Sequence, residues 1–349
     1  MDFKKNLKLK GKTFNIKKVA DAIVYAQKEN GEIQWCAGEK TDPWDLIEAV
    51  MGLSVAGYFN EARKAFEWME QNQLDDGSWY ASYLDGIPQD KTHDTNMTTY
   101  IASGVYHHYL ITKDMDFLVR LWPVVEKAIE FALTLQTEEG EIYWAKSPEG
   151  VVDKMSLLTG SSSVFFSLKC AVAIANELGH KKNNWKQALL NLKSSLNNRI
   201  FAYNISKSRF SMDWFYPVLS GAITGVDAQN RINKYWKKFI VDGMGARCVS
   251  DEPWITIAET AELVLALRAM GRKGTAEIIF SWIVDRTYDD DGSYWCGFTF
   301  PNMLIWPESK LSWTNGVMLL AADSLYNITD AHRFFHHDFW DIDKLTLGI

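Results

Sequence analysis

Six short polar stretches carry the residue types from which hydrolytic chemistry is built. They are Thr41-Asp42-Pro43-Trp44-Asp45, Thr92-His93-Asp94-Thr95-Asn96, Asp153-Lys154, Ser211-Met212-Asp213-Trp214, Asp251-Glu252-Pro253-Trp254 and Trp306-Pro307-Glu308-Ser309. Each holds a carboxylate, and four of the six set it beside or nearly beside a tryptophan. Carboxyl groups among flat rings suit cleavage of a sugar–oxygen bond. One acid protonates the leaving oxygen, a second carboxylate activates water, and the rings stack on sugar faces. Burial against rings raises the pKa of one carboxyl, while a solvated setting keeps the other ionised. The candidate carboxyls for such work include Asp213, Glu252 and Glu308. Asp45 and Asp94 are further candidates, His93 stands where it could orient a carboxylate, and Trp44, Trp79, Trp214, Trp254, Trp295 and Trp306 are candidate stacking platforms.

A local explanation competes with the catalytic one. Asp and Glu at helix starts accept from free backbone N–H groups and suit the helix dipole. Asp42 and Glu252 each precede a proline, which is favoured at the first helical position. His93 fits a hydrogen bond at a helix start as well as a site. Most tryptophans are expected to pack between helices. Glu48, Glu259 and Glu262 interrupt apolar runs. A lone buried carboxylate is too costly, so each is either paired in a wall or aimed at a cavity.

The elements that must position these residues are marked by a repeated phrase: Gln or Arg, then Gly, then Trp. It occurs at Gln27…Gly31…Trp35, Gln73…Gly77…Trp79, Gln136…Gly140…Trp144 and Arg286…Gly292…Trp295. Helical periodicity between the marks predicts twelve helices, near 15–29, 43–57, 60–73, 94–112, 115–136, 157–178, 182–200, 214–225, 228–241, 252–271, 273–287 and 309–327. Odd-numbered ones are amphipathic and even-numbered ones are nearly uncharged, as outer and inner layers require. Six such hairpins predict an all-α (α/α)6 barrel, with the carboxylate loops at one mouth and short extended aromatic segments beside them. Unequal spacing of the tryptophans argues against a solenoid, whose repeats share one length. One barrel domain is expected over 1–349, with 1–14 and 330–349 as terminal extensions.

Composition narrows the function. With 37 Lys+Arg against 44 Asp+Glu, the acidic balance argues against nucleic acid or an anionic membrane as partner. No apolar run suggests a membrane span and no signal peptide is visible, so a cytoplasmic protein is expected. Cys36, Cys170, Cys248 and Cys296 lie far apart and read as reduced thiols, not zinc ligands. No metal or other cofactor is implied, and the oligomeric state is not legible.

The hairpins resemble the six-hairpin glycosidase superfamily, glucoamylase-like enzymes above all. The run from Asp45 to Gly57 and Ala62 is similar to the family's second helix, whose Asp holds the terminal sugar. The pattern His93-Asp94, Asp114, Phe117, Trp122-Pro123 and Ala128 is similar to the family's next hairpin. Leu311-Ser312-Trp313 resembles its last inner helix, which implies a general base at Glu308. The family's general acid is a Glu before a Gly-Ser-Ser helix start. This chain has Ser156-Leu157-Leu158-Thr159 there, so the acid is expected elsewhere, at Asp213 or Glu252. The Gln…Gly-x-Trp phrase also resembles the squalene cyclase and prenyltransferase toroids, but their Asp-x-Asp-Asp motif and zinc set have no counterpart here. The expectation is a glycoside hydrolase of inverting type acting on a small oligosaccharide or glycoside. An isoprenoid-handling toroid and a non-catalytic sugar-binding protein are the alternatives.

Overall fold

The repeated Gln…Gly…Trp phrase is the joint that ties one hairpin to the next in the computed structural model, which describes residues 6–9, 12–286 and 290–347. In three copies the Gln amide donates twice, to its own glycine's carbonyl and to a carbonyl of the next outer helix. Gln27 reaches Gly31 and Glu61, Gln73 reaches Gly77 and Val124, and Gln136 reaches Gly140 and Ala188. Gly140 has φ +102°, and a Cβ there would fall 2.4 Å from the Asn191 carbonyl oxygen. Only glycine meets both demands. The fourth copy closes the ring, because Gly292 lies equally close to Lys18 of the first helix. Gly140→Ala is expected to cost about 2–3 kcal/mol, combining left-handed strain with displacement of that carbonyl. A lowered urea midpoint at unchanged m-value checks it.

Between the joints run α1 (Ile16–Tyr25), α2 (Pro43–Val55), α3 (Phe59–Asn72), α4 (Thr95–Thr99), α5 (Ile101–Thr112), α6 (Met115–Leu133), α7 (Leu158–Glu177), α8 (Asn183–Asn198), α9 (Ser211–Leu219), α10 (Gly225–Phe239), α11 (Ile257–Ala269), α12 (Lys273–Ile283), α13 (Ser312–Tyr326) and α14 (Ile342–Leu347). The inner wall is α2, α4–α5, α7, α9, α11 and α13. Each touches the next, and α13 returns to α2. The expected (α/α)6 barrel is the fold observed. α7 is long and apolar enough to cross a membrane, but 89% of that stretch is buried inside the protein. Its apolar character serves the inner wall.

Several boundaries differ from the sequence expectation. α1, α3 and α6 stop before Gln27, Gln73 and Gln136, because those side chains leave the helix to make the joints. The expected 94–112 helix is two, α4 and α5, meeting at Tyr100. α9 starts at Ser211 and stops at Leu219. Both terminal segments pack on the barrel. Phe14 meets Phe280, while Phe334 and Phe335 are buried against Phe166. The first five residues and Thr287–Asp289 of the fourth repeat lie outside the described residues.

All inner helices begin at the same end, so their N-termini form the mouth. The loops there pair as short strands: Ser82–Leu84 with Ile87–Asp90, and His93–Asp94 with Ala145–Lys146 and Val152–Asp153. A four-stranded sheet joins Ile240–Val241, Gly245–Arg247, Trp254–Thr256 and Gly297–Thr299.

Candidate active site

Two inner helices carry acids at matching positions. Asp45 and Glu259 are the third residues of α2 and α11, and Glu48 and Glu262 follow one turn deeper. A spacing of three puts each pair on one helix face. α13 stands between α2 and α11, and it approaches α2 through glycines on both helices. A Cβ on Gly316 would fall 2.6 Å from the Glu48 carbonyl oxygen, and one on Gly52 would fall 2.6 Å from Gly316 Cα. Small residues therefore draw α2 closely against α13, the helix that separates it from α11.

The acids differ in surroundings. Asp42 caps α2. It accepts the Asp45 backbone N–H at 2.9 Å and the Trp35 indole N–H at 2.7 Å, so both its oxygens are committed to structure. Burial, with the neighbouring charges of Asp42 and Glu48, pushes the half-buried Asp45 carboxyl well above the usual range. Glu48 accepts from the Tyr100 hydroxyl at 3.0 Å and from the Trp44 indole, yet burial still pushes it up to about 8. Glu262 is raised further by burial and by Glu48 and Glu259, and its Oε2 has no partner. Glu259 accepts the Cys248 thiol at 3.1 Å on Oε1, while Oε2 is buried and unpartnered. The Cys296 thiol is pushed up to about 12 by burial and then by Glu259 and Asp45, so it lies near both acids. Carboxyls this close cannot all ionise, and at neutral pH some keep a proton.

A cleft of about 240 Å³ opens beside this cluster, lined by Trp44, Asp94, Asn96, Trp144, Thr159, Asp213 and apolar neighbours that include Leu157, Phe210 and Met212. Trp44 links cleft to cluster. Its ring faces the cleft, meets Tyr100 and Tyr216 at 5.6 and 5.8 Å, and its N–H reaches Glu48. Trp144 Nε1 and Asn96 Oδ1 are buried without partners, a free donor and a free acceptor. Asp94 accepts the Met97 N–H at 3.0 Å as the α4 cap, and burial raises it to about 6. Asp213 accepts from Thr159 Oγ1 at 2.6 Å and Thr159 N–H at 3.2 Å, and burial raises it too.

The cleft thus gathers Trp44, Asp94 and Asp213, and Asp45 stands with the axial acids. The other expected site residues lie elsewhere. His93 bonds Ser78 Oγ at 2.6 Å and faces Asp76 at 3.2 Å. It precedes Asp94 in one strand, and successive strand side chains point to opposite faces. Trp79 is buried with its N–H on the Met69 carbonyl. Trp214 is buried with its N–H on the Arg231 carbonyl, and its ring stacks on Phe239 at 5.1 Å. Both hold inner to outer layers, and Trp214 also lines a second cavity outside the cleft. Glu252 is exposed and shares Arg209 with Asp251. Glu308 is exposed on the loop before α13, and neither glutamate lines the cleft. Trp254 meets Trp306 edge-on at 4.8 Å, and Trp295 lies under Lys310, on the α11–α13 side of the mouth and outside the cleft lining. Trp144 and Asn96 escaped notice because one read as a repeat landmark and the other as a helix start. The signal for Glu259 was its carboxylate in an apolar run. Among the described residues no three His, Cys, Asp or Glu side chains group as metal ligands.

No protein-family model matches the chain. Over 319 residues it is 42% identical to the MMP endo-(1,4)-3-O-methyl-alpha-D-mannosidase of Mycolicibacterium hassiacum, an alignment covering 91% of this chain and 88% of that one. Among solved structures, a glycosidase in complex with glucose superposes with TM-score 0.70 at 16% identity, covering 90% of this chain and 96% of that one. The GH63 mannosylglycerate hydrolase from Thermus thermophilus gives 0.68 at 10% identity, over 87% and 98%. These two share the fold.

Proposed function

The chain belongs to the family of the Mycolicibacterium hassiacum endo-mannosidase, and from that membership and the mouth geometry we propose that it cleaves internal α-(1→4) bonds of a mannose-based oligosaccharide, with Asp45 as general acid and Glu259 as general base. It is a glycoside hydrolase of the six-hairpin type acting on a small carbohydrate. The alternatives of an isoprenoid-handling toroid and a non-catalytic binder are set aside on that membership.

One observation carries the assignment. Asp45 and Glu259 are each the third residue of an inner helix and both lie near Cys296, Asp45 with raised proton affinity and Glu259 with a free buried oxygen. Asp45 gives its proton to the glycosidic oxygen as that bond breaks. Glu259 Oε2 holds a water on the opposite face of the ring and takes its proton as the water oxygen bonds to the anomeric carbon. One displacement with one water inverts the configuration, and it needs the two carboxyls ~6.5–9.5 Å apart. Charge on Glu48 opposes ionisation of Asp45, so the two carboxyls do not both give up their protons. Asp94 and Asp213 accept from sugar hydroxyls, Trp144 donates, Asn96 accepts, and Trp44 supplies a stacking face. Glu252 and Glu308 lose the proton-transfer roles because they are exposed and do not line the cleft, and Asp213 takes a hydroxyl-binding role in place of the acid's.

The test is digestion of α-(1→4)-linked manno-oligosaccharides, with and without 3-O-methyl groups, with products followed by mass spectrometry and the new anomer by NMR. Internal cleavage with the β-anomer appearing first is expected. Prompt release of the α-anomer overturns the single displacement, and no cleavage overturns the substrate class. Trp144→Phe is expected to weaken saccharide binding about three- to tenfold, the value of one hydrogen bond, with stability unchanged. Titration calorimetry with an oligosaccharide checks it.

A further inference from the structure

Among the described residues the Glu259 carboxyl has one hydrogen-bond donor, the Cys248 thiol, 3.1 Å from Oε1. Oε2 is buried without a partner. One oxygen of the carboxylate is therefore fixed and the other free. Cys248 directly follows the strand Gly245–Arg247. Its N–H donates to the Trp254 carbonyl at 3.0 Å, and its carbonyl accepts the N–H of Ser211, the first residue of α9, at 2.9 Å. The Ala246 N–H donates to Thr260 Oγ1 at 2.9 Å, which locks the same strand onto α11 one residue past Glu259. Both ends of the thiol–carboxylate contact thus stand on rigid elements.

The chemistry of the donor matters as much as its place. A thiol is a weak donor. A hydroxyl or a cation in its position would bond the carboxylate more strongly and favour its ionised form, which makes a poorer base. A thiol can therefore orient a general base and leave its appetite for a proton nearly intact. Burial, and then the charge of Glu259, push the Cys248 thiol far up, so it stays protonated and goes on donating at neutral pH. Cys248 lines no part of the cleft, so its route to the chemistry runs through Glu259.

We propose that Cys248 is a positioning residue: its thiol fixes Glu259 through Oε1 so that Oε2 is presented to the water it activates, without drawing down its basicity. The proposal rests on the reading of Glu259 as general base and deepens it. The competing account is that the thiol only offsets burial of the carboxylate. On that account its loss costs stability and leaves the chemical step alone.

The test measures kcat and KM on an α-(1→4)-linked manno-oligosaccharide for the parent, Cys248→Ala, Cys248→Ser, Glu259→Gln and the Cys248→Ala, Glu259→Gln pair. Cys248→Ala is expected to lose about tenfold in kcat at unchanged KM, because an untethered base spends most of its time out of line. Cys248→Ser keeps a donor in nearly the same place and is expected to recover most of that loss. Its stronger donor should also move the acid limb of kcat/KM to lower pH. In the Glu259→Gln background, Cys248→Ala is expected to change the residual kcat by less than about twofold, since a residue acting through the base has nothing left to act on. Equal losses in both backgrounds overturn the positioning role, as does a Cys248→Ser chain that falls as far as Cys248→Ala. A lowered urea midpoint in Cys248→Ala with kcat unchanged overturns it in favour of the burial account, while Glu259 stands as the base if Glu259→Gln collapses. Full turnover in Glu259→Gln, or no cleavage by the parent, sinks the base assignment and the proposal together.

Discussion

Exchanging Asp45 for Asn or Glu259 for Gln is expected to lower kcat by about 10²–10⁴-fold while saccharide affinity stays within a few fold. Both exchanges preserve shape. In Asp45→Asn the amide still fills the third position of α2, and in Glu259→Gln the side chain keeps an oxygen for the Cys248 thiol. What each removes is the ability to give or take a proton at the reacting atoms, an interaction realised only in the transition state. The parent's kcat/KM should fall on the alkaline side as Asp45 loses its proton, at a pH above the usual carboxylate range because burial and then Asp42 and Glu48 oppose its ionisation. Asp45→Asn removes that limb together with the rate. Asp213→Asn, Glu252→Gln and Glu308→Gln supply the contrast, and each should keep most of the turnover. Collapse of kcat in any of the three, with Glu259→Gln still active, transfers the proton-transfer role to that residue.

The second large effect is on stability. Glu48→Gln is expected to leave the chain about as stable as the parent near pH 4 and more stable by a few kcal/mol near pH 8, on the order of what its shift implies. In the unfolded chain a glutamate ionises near pH ~4.3. In the folded chain, burial holds the Glu48 proton until about 8. Between those values the folded state binds more protons, so stability is full below the unfolded pKa and is lost as pH rises through the folded one. Gln cannot ionise, keeps the oxygen that receives the Tyr100 hydroxyl, and removes the decline. Urea unfolding of both chains across that range measures it, and a parent equally stable at both ends shows that Glu48 is not desolvated. The same exchange should move the alkaline limb of kcat/KM to lower pH, since Glu48 repels the charge that Asp45 would acquire. Together the two results would say that the barrel tolerates a destabilising carboxylate for its effect on the acid.

The barrel was legible in the chain because its signals are local. Alternation of amphipathic and apolar helices reports which side of each faces a core, and Gln…Gly…Trp marks every helix end where it occurs. Even the carboxylates at the inner helix starts could be read from Asp45, Asp94 and Asp213 in place. Whether two acids meet was not a local matter. His93 and Asp94 are neighbours in sequence, yet the pairing of their strand with Ala145–Lys146 sends them to opposite faces. Trp79 and Trp144 stand two and four residues after the glycines of their repeats, and one N–H binds the Met69 carbonyl while the other is left without a partner. Asp45 and Glu259 share a neighbourhood across α13, which Gly52 and Gly316 let touch α2 in a ring that Gly292 closes on Lys18. Sequence alone determined the hairpins, their layers and the supply of acids and rings, since periodicity and turn chemistry act over a few residues. Tertiary structure decided which acids share a desolvated space, because burial and charge repulsion depend on distances that ring closure sets between residues far apart in the chain.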